Sequence, residues 1–187
     1  MKKVSFFLLG AAFLASSLAF VAPKNPKAPI TLAVQSDKSR VDFIGSKAAD
    51  FHTGTFAVKG GSVQVEGGKL VGGSFVIDLA NLKVTDAAGE RLAGHLKSAD
   101  FFDVAKFGEA TYTISSVDYS SATACTINGT LNIKGVGVPV SFASNIRSAS
   151  EKGLFGQAFF SLDRTLLGIA YAGPSKDVQI AVHLFAK

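Results

Sequence analysis

A chain of 187 residues with sixteen phenylalanines, nineteen glycines, no tryptophan and one cysteine suits one domain rather than two. Its net charge is +5, but the basic residues are scattered singly and form no stripe for a phosphate backbone, which argues against nucleic acid as a partner. Cys125 has no second cysteine with which to form a disulfide, and it reads as a half-buried strand residue.

The chain begins "MKKVSFFLLGAAFLASSLAF". Lys2 and Lys3 precede an apolar run from Val4 to Leu18, and Ser17 and Ala19 are small residues at the two positions a signal peptidase reads. Residues 1–19 are therefore expected to be a secretory signal, cleaved after Ala19, that sends the protein to the periplasm or the exterior. Losing Lys2 and Lys3 lowers the net charge from +5 to +3. The alternative is an uncleaved anchor, since Val4 to Ala22 is nearly long enough to span a bilayer. No cysteine follows the run, so acylation as a lipoprotein is not expected. Residues 20–38, with "APKNPKAP", have no apolar period and read as a loose leader.

From Ser39 onward, short runs rich in Val, Ile, Phe and Thr alternate with turn residues. "SRVDFIGS" puts Val41 and Phe43 on one side; "HTGTFAV" and "SVQVEGG" follow as separate runs. "SFVIDLANL" aligns Phe75, Ile77 and Leu79, and "ATYTISSVDY" aligns Tyr112 and Ile114. "TINGTLNIKG" gives Ile127, Leu131 and Ile133, and "VPVSFASNI" gives Val138, Val140, Phe142 and Ile146. "GQAFFSLDR" offers Phe160 and Leu162, and "KDVQIAVHLF" offers Val178, Ile180, Val182 and Leu184. Period-two alternation with one apolar face marks antiparallel strands with one wet side. Turn signals at short intervals ("KGG", "EGGKLVGG", "GPSKD") predict an all-β sandwich or barrel.

One insertion, about 86–104, breaks this rhythm. "TDAAGERLAGHLKS" carries Leu92 and Leu96 four apart, with Asp86 placed to cap a short helix and Ser98 to cap a further turn from Ala99. The segment "HLKSADFFDVAKFGEATY" follows neither period. Adjacent Phe101 and Phe102 cannot share one face of a helix or strand, so one ring is expected to plug the barrel end and the other to pack under the helix. A plain hydrophobic corner is the alternative.

The polar residues form no recognisable catalytic set. His52, His95 and His183 are far apart and lack metal-ligand spacing, so no metal is expected. His95 reads as a cap on carbonyls near the helix end, and His183 as facing outward. Asp163 and Arg164 are expected to pair at a strand end, and Asp78 to satisfy turn donors. No serine sits in a nucleophile elbow and no pair of acids is fixed on a cleft, so no catalytic residue and no enzymatic activity are expected.

"HLKSADFFDVAKFGEATYTI" resembles the signature of the YceI-like family of exported lipid-binding proteins. "GTLNIKGVGVPVSF" (129–142) and "FSLDRTLLGI" (160–169) agree with it, and the likeness runs in order from about Ser39 to Lys187. Two residues depart from the family pattern. Gly108 stands where a proline is usual, implying a looser turn after Phe107, and Leu167 stands where an aromatic is common. The resemblance implies an antiparallel, lipocalin-like barrel of about eight strands over residues 39–187. It also implies a channel holding an isoprenoid or similar long-chain lipid: a polyprenyl chain, a quinone tail or a fatty amide. No other cofactor follows from it.

The candidate lining is the inward set Phe43, Phe75, Ile77, Tyr112, Ile114, Leu131, Ile133, Phe142, Phe160, Leu162, Ile180 and Val182, with Phe101 and Phe102 at the end. Transient membrane contact and dimerisation are compatible with such a protein. Alternation alone leaves a second reading open, a packed-core exported barrel that acts through its surface in stress or adhesion, because small barrels can be filled by side chains.

Overall fold

The computed structural model describes residues 28–187; the expected signal and the leader as far as Lys27 lie outside the described residues. Nine strands and one helix are present among them: β1 (Ile30–Ala33), β2 (Arg40–Lys47), β3 (Asp50–Glu66), β4 (Lys69–Val84), α1 (Gly89–Lys97), β5 (Glu109–Tyr119), β6 (Ala124–Ile133), β7 (Val136–Ser150), β8 (Gly153–Asp163) and β9 (Asp177–Ala186). Every pairing is antiparallel, in the order β1-β3-β2-β9-β8-β7-β6-β5-β4, and β4 returns to β3 to close a barrel. Closure leaves no long unpaired edge.

Nine strands fill eight lanes, because β1 and β2 share one. β2 pairs with the first half of β3, from Arg40↔Ala57 to Lys47↔Asp50, and β1 with the second, from Ile30↔Val65 to Ala33↔Ser62. Residues 30–33 of the expected loose leader are therefore a strand of the barrel; Leu32 is buried in it. The lane is broken at 35–39, and there the buried Ser39 replaces the missing ladder. Its Oγ donates to the Phe185 carbonyl at 3.2 Å and accepts from the Phe185 N–H at 2.9 Å.

"HTGTFAV" and "SVQVEGG" are one strand, not two, so "KGG" is no turn. Gly60 and Gly61 take φ of 155° and 137° and the pairing with β4 slips between Val58 and Gly60, so the strand bends there and continues. Glycine supplies the bend that a closed sheet needs at a corner. A true two-residue turn joins β6 to β7 at Lys134 and Gly135, both at positive φ (51° and 76°), as a primed hairpin turn demands.

Antiparallel order sorts the connections. Those at 47–50, 84–109, 133–136 and 163–177 fall at one end, the helix end, and those at 66–69, 119–124 and 150–153 at the other. The far half is packed: Leu32, Val63, Val65, Leu70, Leu154 and Leu184 are all buried there. Among the described residues, no helix is long and apolar enough to cross a membrane.

The helix starts without a side-chain cap, at Ala88. Asp86 instead accepts from the Ala88 N–H (2.8 Å) and the Thr53 N–H (2.7 Å), so it ties the helix entry to β3 rather than capping it. Those two donors, with His52 beside them, hold the Asp86 carboxyl below the usual carboxylate range. Ser98 opens no second helix; its hydroxyl donates to the His95 carbonyl, closing α1.

Candidate functional site

The helix-end half of the barrel is open. A cavity of about 210 Å³ runs down its axis and reaches solvent beside the exposed Lys47 and Ser175. Its wall is almost wholly carbon, drawn from the inward faces of β2 to β6, β7, β8 and β9 and from Leu92 and Leu96 of α1. The same alternation that packs the far half leaves Ile77, Phe160, Leu162, Val178 and Ile180 only half-buried here, because they face open volume.

The floor is a chain of rings. Phe75 and Tyr112 lie 5.8 Å apart, Tyr112 and Phe142 5.4 Å, and Phe142 stacks on Phe160 at 4.4 Å. Below the floor lies a second cavity of about 30 Å³, bounded by Ile114, Ile127, Leu70 and Leu184. Burial pushes the Tyr112 hydroxyl up to about 12, so it stays a neutral donor; its proton goes to the Val140 carbonyl at 2.8 Å.

Phe43, Phe75, Ile77, Tyr112, Leu131, Ile133, Phe142, Phe160, Leu162, Ile180 and Val182 all stand on the main cavity wall, and Phe101 and Phe102 line it at the helix end. Ile114 does not belong to that wall. It faces inward, but one step below Tyr112, so the ring floor separates it from the main cavity.

The Phe101–Phe102 segment is the unwinding end of the helix. Phe102 N–H donates to Leu96 O, Asp103 N–H to Ser98 O and Val104 N–H to Lys97 O, and Asp103 sits at φ 49°. This irregular backbone sends the two rings apart. Phe101 is buried against His95 of α1 (5.0 Å) and Tyr171 of the 164–176 loop (4.9 Å), while Phe102 meets the edge of Phe56 at 5.6 Å. Lys134 donates its Nζ to the Phe101 carbonyl, tying the β6–β7 turn to the same segment. His95 is thus part of a ring cluster, 5.0 Å from Tyr171 and 3.5 Å from Asp100, not a cap on the helix carbonyls. The Gly108 carbonyl accepts from the N–H groups of both Leu79 and Ala80, which ties the turn after Phe107 to β4.

Asp163 and Arg164 do not pair. Asp163 accepts from Thr165 N–H (2.9 Å) and Oγ (2.6 Å) and lies 3.5 Å from Lys176; the two Thr165 bonds, with Lys176 beyond them, lower its carboxyl below the ordinary range. Arg164, 8% exposed, turns inward and donates to the carbonyls of Ser175, Ile169, Tyr171 and Pro174. One buried side chain therefore holds the whole 164–176 loop. Leu167, where a ring was expected, is buried on the cavity wall.

Asp78 does satisfy nearby donors, from Asn81 N–H (3.1 Å) and Nδ2 (2.8 Å). Cys125 is buried in β6, where burial raises its thiol. Among the described residues there is no group of three or more His, Cys, Asp or Glu fit to hold a metal. Sequence reasoning did not single out Lys47, His52 and Arg164 on the wall. They sit at strand ends and in a loop, where no hydrophobic period marks inward from outward.

Comparisons with solved structures place this architecture among known barrels. BcnA of Burkholderia cenocepacia superposes with a TM-score of 0.70 at 19% identity, covering 82% of this chain and 99% of that one. A polyisoprenoid binding domain from Saccharophagus degradans, implicated in plant cell wall breakdown, gives 0.64 at 17% identity, covering 83% and 97%. The YCEI protein of Campylobacter jejuni gives 0.51 at 14%, covering 100% and 99%. At these identities the likeness is one of fold. A search of curated proteins gave no significant match. The model of the YceI-like domain matches residues 32–186, nearly every residue of the barrel from β1 to β9, and the chain belongs to that family.

Proposed function

We propose that this protein is an exported carrier whose barrel holds the hydrocarbon chain of an isoprenoid or similar long-chain lipid. The observation that carries the reading is the cavity of about 210 Å³, walled by carbon and open at one end. An engineered apolar cavity of roughly 150 Å³ stays dry and takes up benzene, so this larger one suits a hydrocarbon guest. Each buried methylene is worth about 0.8 kcal/mol, so ten give about 8 kcal/mol gross. Lost translational and chain freedom removes part of that, leaving reversible binding. Hydrocarbon contacts are non-directional, so polyprenyl chains, quinone tails and fatty amides all remain in class.

Family membership and the polyisoprenoid binding of the Saccharophagus relative support a binding role rather than an enzymatic one. A periplasmic or secreted location is part of the proposal and rests on residues 1–19. A wholly packed interior, the alternative, does not fit the open half. The test is organic extraction of purified protein followed by mass spectrometry. Stoichiometric long-chain lipid is the expected result; repeated recovery of none, with no uptake of added prenyl or acyl chains, would end the carrier reading.

A further inference from the structure

The thirty residues around the main cavity include no aspartate or glutamate, and its three basic side chains, Lys47, His52 and Arg164, all stand at the open end. They are neighbours by backbone connection. His52 is paired across the ladder with Gly45, and the Ser46 carbonyl accepts from the Ser175 N–H at 2.7 Å. The Ser175 carbonyl in turn accepts from Arg164 Nε at 2.9 Å.

Arg164 decides the sign. Its four hydrogen bonds all go to neutral carbonyls, and among the described residues no carboxylate pairs with it. A guanidinium has five N–H donors, so one on Nη1 is left over. The group is nevertheless buried, and a buried charge without a countercharge is costly. Lys47 is half-exposed and its partner Asp50 lies 3.5 Å away, a surface pair weak enough for an incoming anion to displace. The carboxylates nearby are turned to other work: Asp86 to backbone donors and His52, Asp163 to Thr165 and Lys176.

We infer that the ligand is a single-chain amphiphile with an anionic head, a carboxylate or a phosphate, which sits at the open end against Arg164 and Lys47 while its tail fills the cavity. This rests on the carrier reading and names the head that reading leaves open. Charge-assisted hydrogen bonds are the stronger kind, and the basic residues among the lining are gathered at the open end.

The test uses delipidated full-length protein and matched pairs of probes: tetradecanoic acid against tetradecanol, and farnesyl phosphate against farnesol. Binding is read by displacement of a fluorescent lipid at low and high salt. At least one anion should bind about tenfold or more tightly than its alcohol, with the preference shrinking in salt; which anion wins separates carboxylate from phosphate. Arg164 also holds the loop, so the variant is Lys47→Glu, which leaves the carbonyl cage intact. It should weaken the anion several-fold more than it weakens the alcohol. Equal affinity for acid and alcohol in both pairs, or a Lys47→Glu effect that is the same on both, overturns the inference while the carrier reading stands. Binding of neither member of either pair overturns both.

Discussion

Tyr112 of β5 lies across Gly129 of β6: a Cβ on that glycine would fall 2.6 Å from the ring and its hydroxyl, and 2.4 Å from the Thr113 carbonyl oxygen. The missing side chain is what lets the ring lean over β6 and reach the Val140 carbonyl on β7. Gly129→Ala forces backbone or ring to move and should cost about 1–3 kcal/mol as an overpacking change. Tyr112→Phe keeps the ring and loses one buried hydrogen bond, at about 1 kcal/mol. Urea denaturation midpoints check both. An unchanged midpoint for Gly129→Ala would mean the ring lies elsewhere.

The same tyrosine gives a pH signature. Its ordinary value is 10.0 and burial raises it to about 12. Between those values the unfolded chain has lost the proton and the folded one has kept it, so the folded state binds more protons and stability falls as pH rises. Below pH 10 the contribution is intact. Melting temperature measured from about pH 9 to about pH 12 should fall more steeply in the wild type than in Tyr112→Phe. Parallel curves would contradict the buried hydroxyl.

Ile133 and Ile127 stand on one strand, with the ring floor between them. Ile133 borders the cavity of about 210 Å³ and Ile127 the one of about 30 Å³. Ile133→Trp should leave the ligand-free protein near wild-type stability while abolishing co-purifying lipid. Ile127→Trp has no room and should cost about 1–3 kcal/mol. Delipidated wild type is the reference, since bound ligand raises apparent stability. If Ile133→Trp is the more damaging of the two, the half with the free space has been misplaced.

Phe101 and Phe102 should separate in the same way. Phe101→Ala removes a buried ring from the His95–Tyr171 cluster and should cost about 3–5 kcal/mol. Phe102 is half-buried with one edge contact to Phe56; its loss should cost clearly less and show mainly as faster lipid exchange. Two near-neutral variants would mean that neither ring is held in the packing at the helix end.

Export predicts a new N-terminus. Intact mass of protein expressed in a bacterial host should correspond to a chain starting at Phe20. Retention of residues 1–19 in the membrane fraction would favour an anchored form.

The barrel was legible because alternation reports burial directly: Ile127, Leu131 and Ile133 point in while Asn132 points out, and eleven of the strand residues chosen on that basis stand on one wall. Depth was not legible. Period two says which face a residue occupies, not how far down the axis it lies, and so Ile114 was grouped with the main-cavity residues from which the ring floor separates it. Glycine pairs were ambiguous for a related reason, since the freedom that makes a turn also makes a bend, as at Gly60 and Gly61. Arg164 beside Asp163 suggested a pair by proximity in sequence, but the strand ends at Asp163, a helical turn begins at Arg164, and the guanidinium finds four carbonyls instead. β1 escaped notice because four residues beside a Pro- and Lys-rich stretch carry too little pattern to show.

The shared lane of β1 and β2 sets the order in which this chain can mature. β2 needs β9 on its other side, from Arg40↔His183 to Gly45↔Val178, and the lane break is held to β9 through Ser39 and Phe185. The cylinder therefore cannot close until β2 and β9, more than a hundred residues apart in the chain, meet, a loop closure over nearly the whole barrel. Such non-local pairing slows folding. Until the final strand arrives, the β2 and β8 edges stand open as templates for other chains. Loss of the last ten residues should leave a soluble-looking sheet that self-associates, which gives the C-terminal strand the part of a latch for solubility as well as for shape.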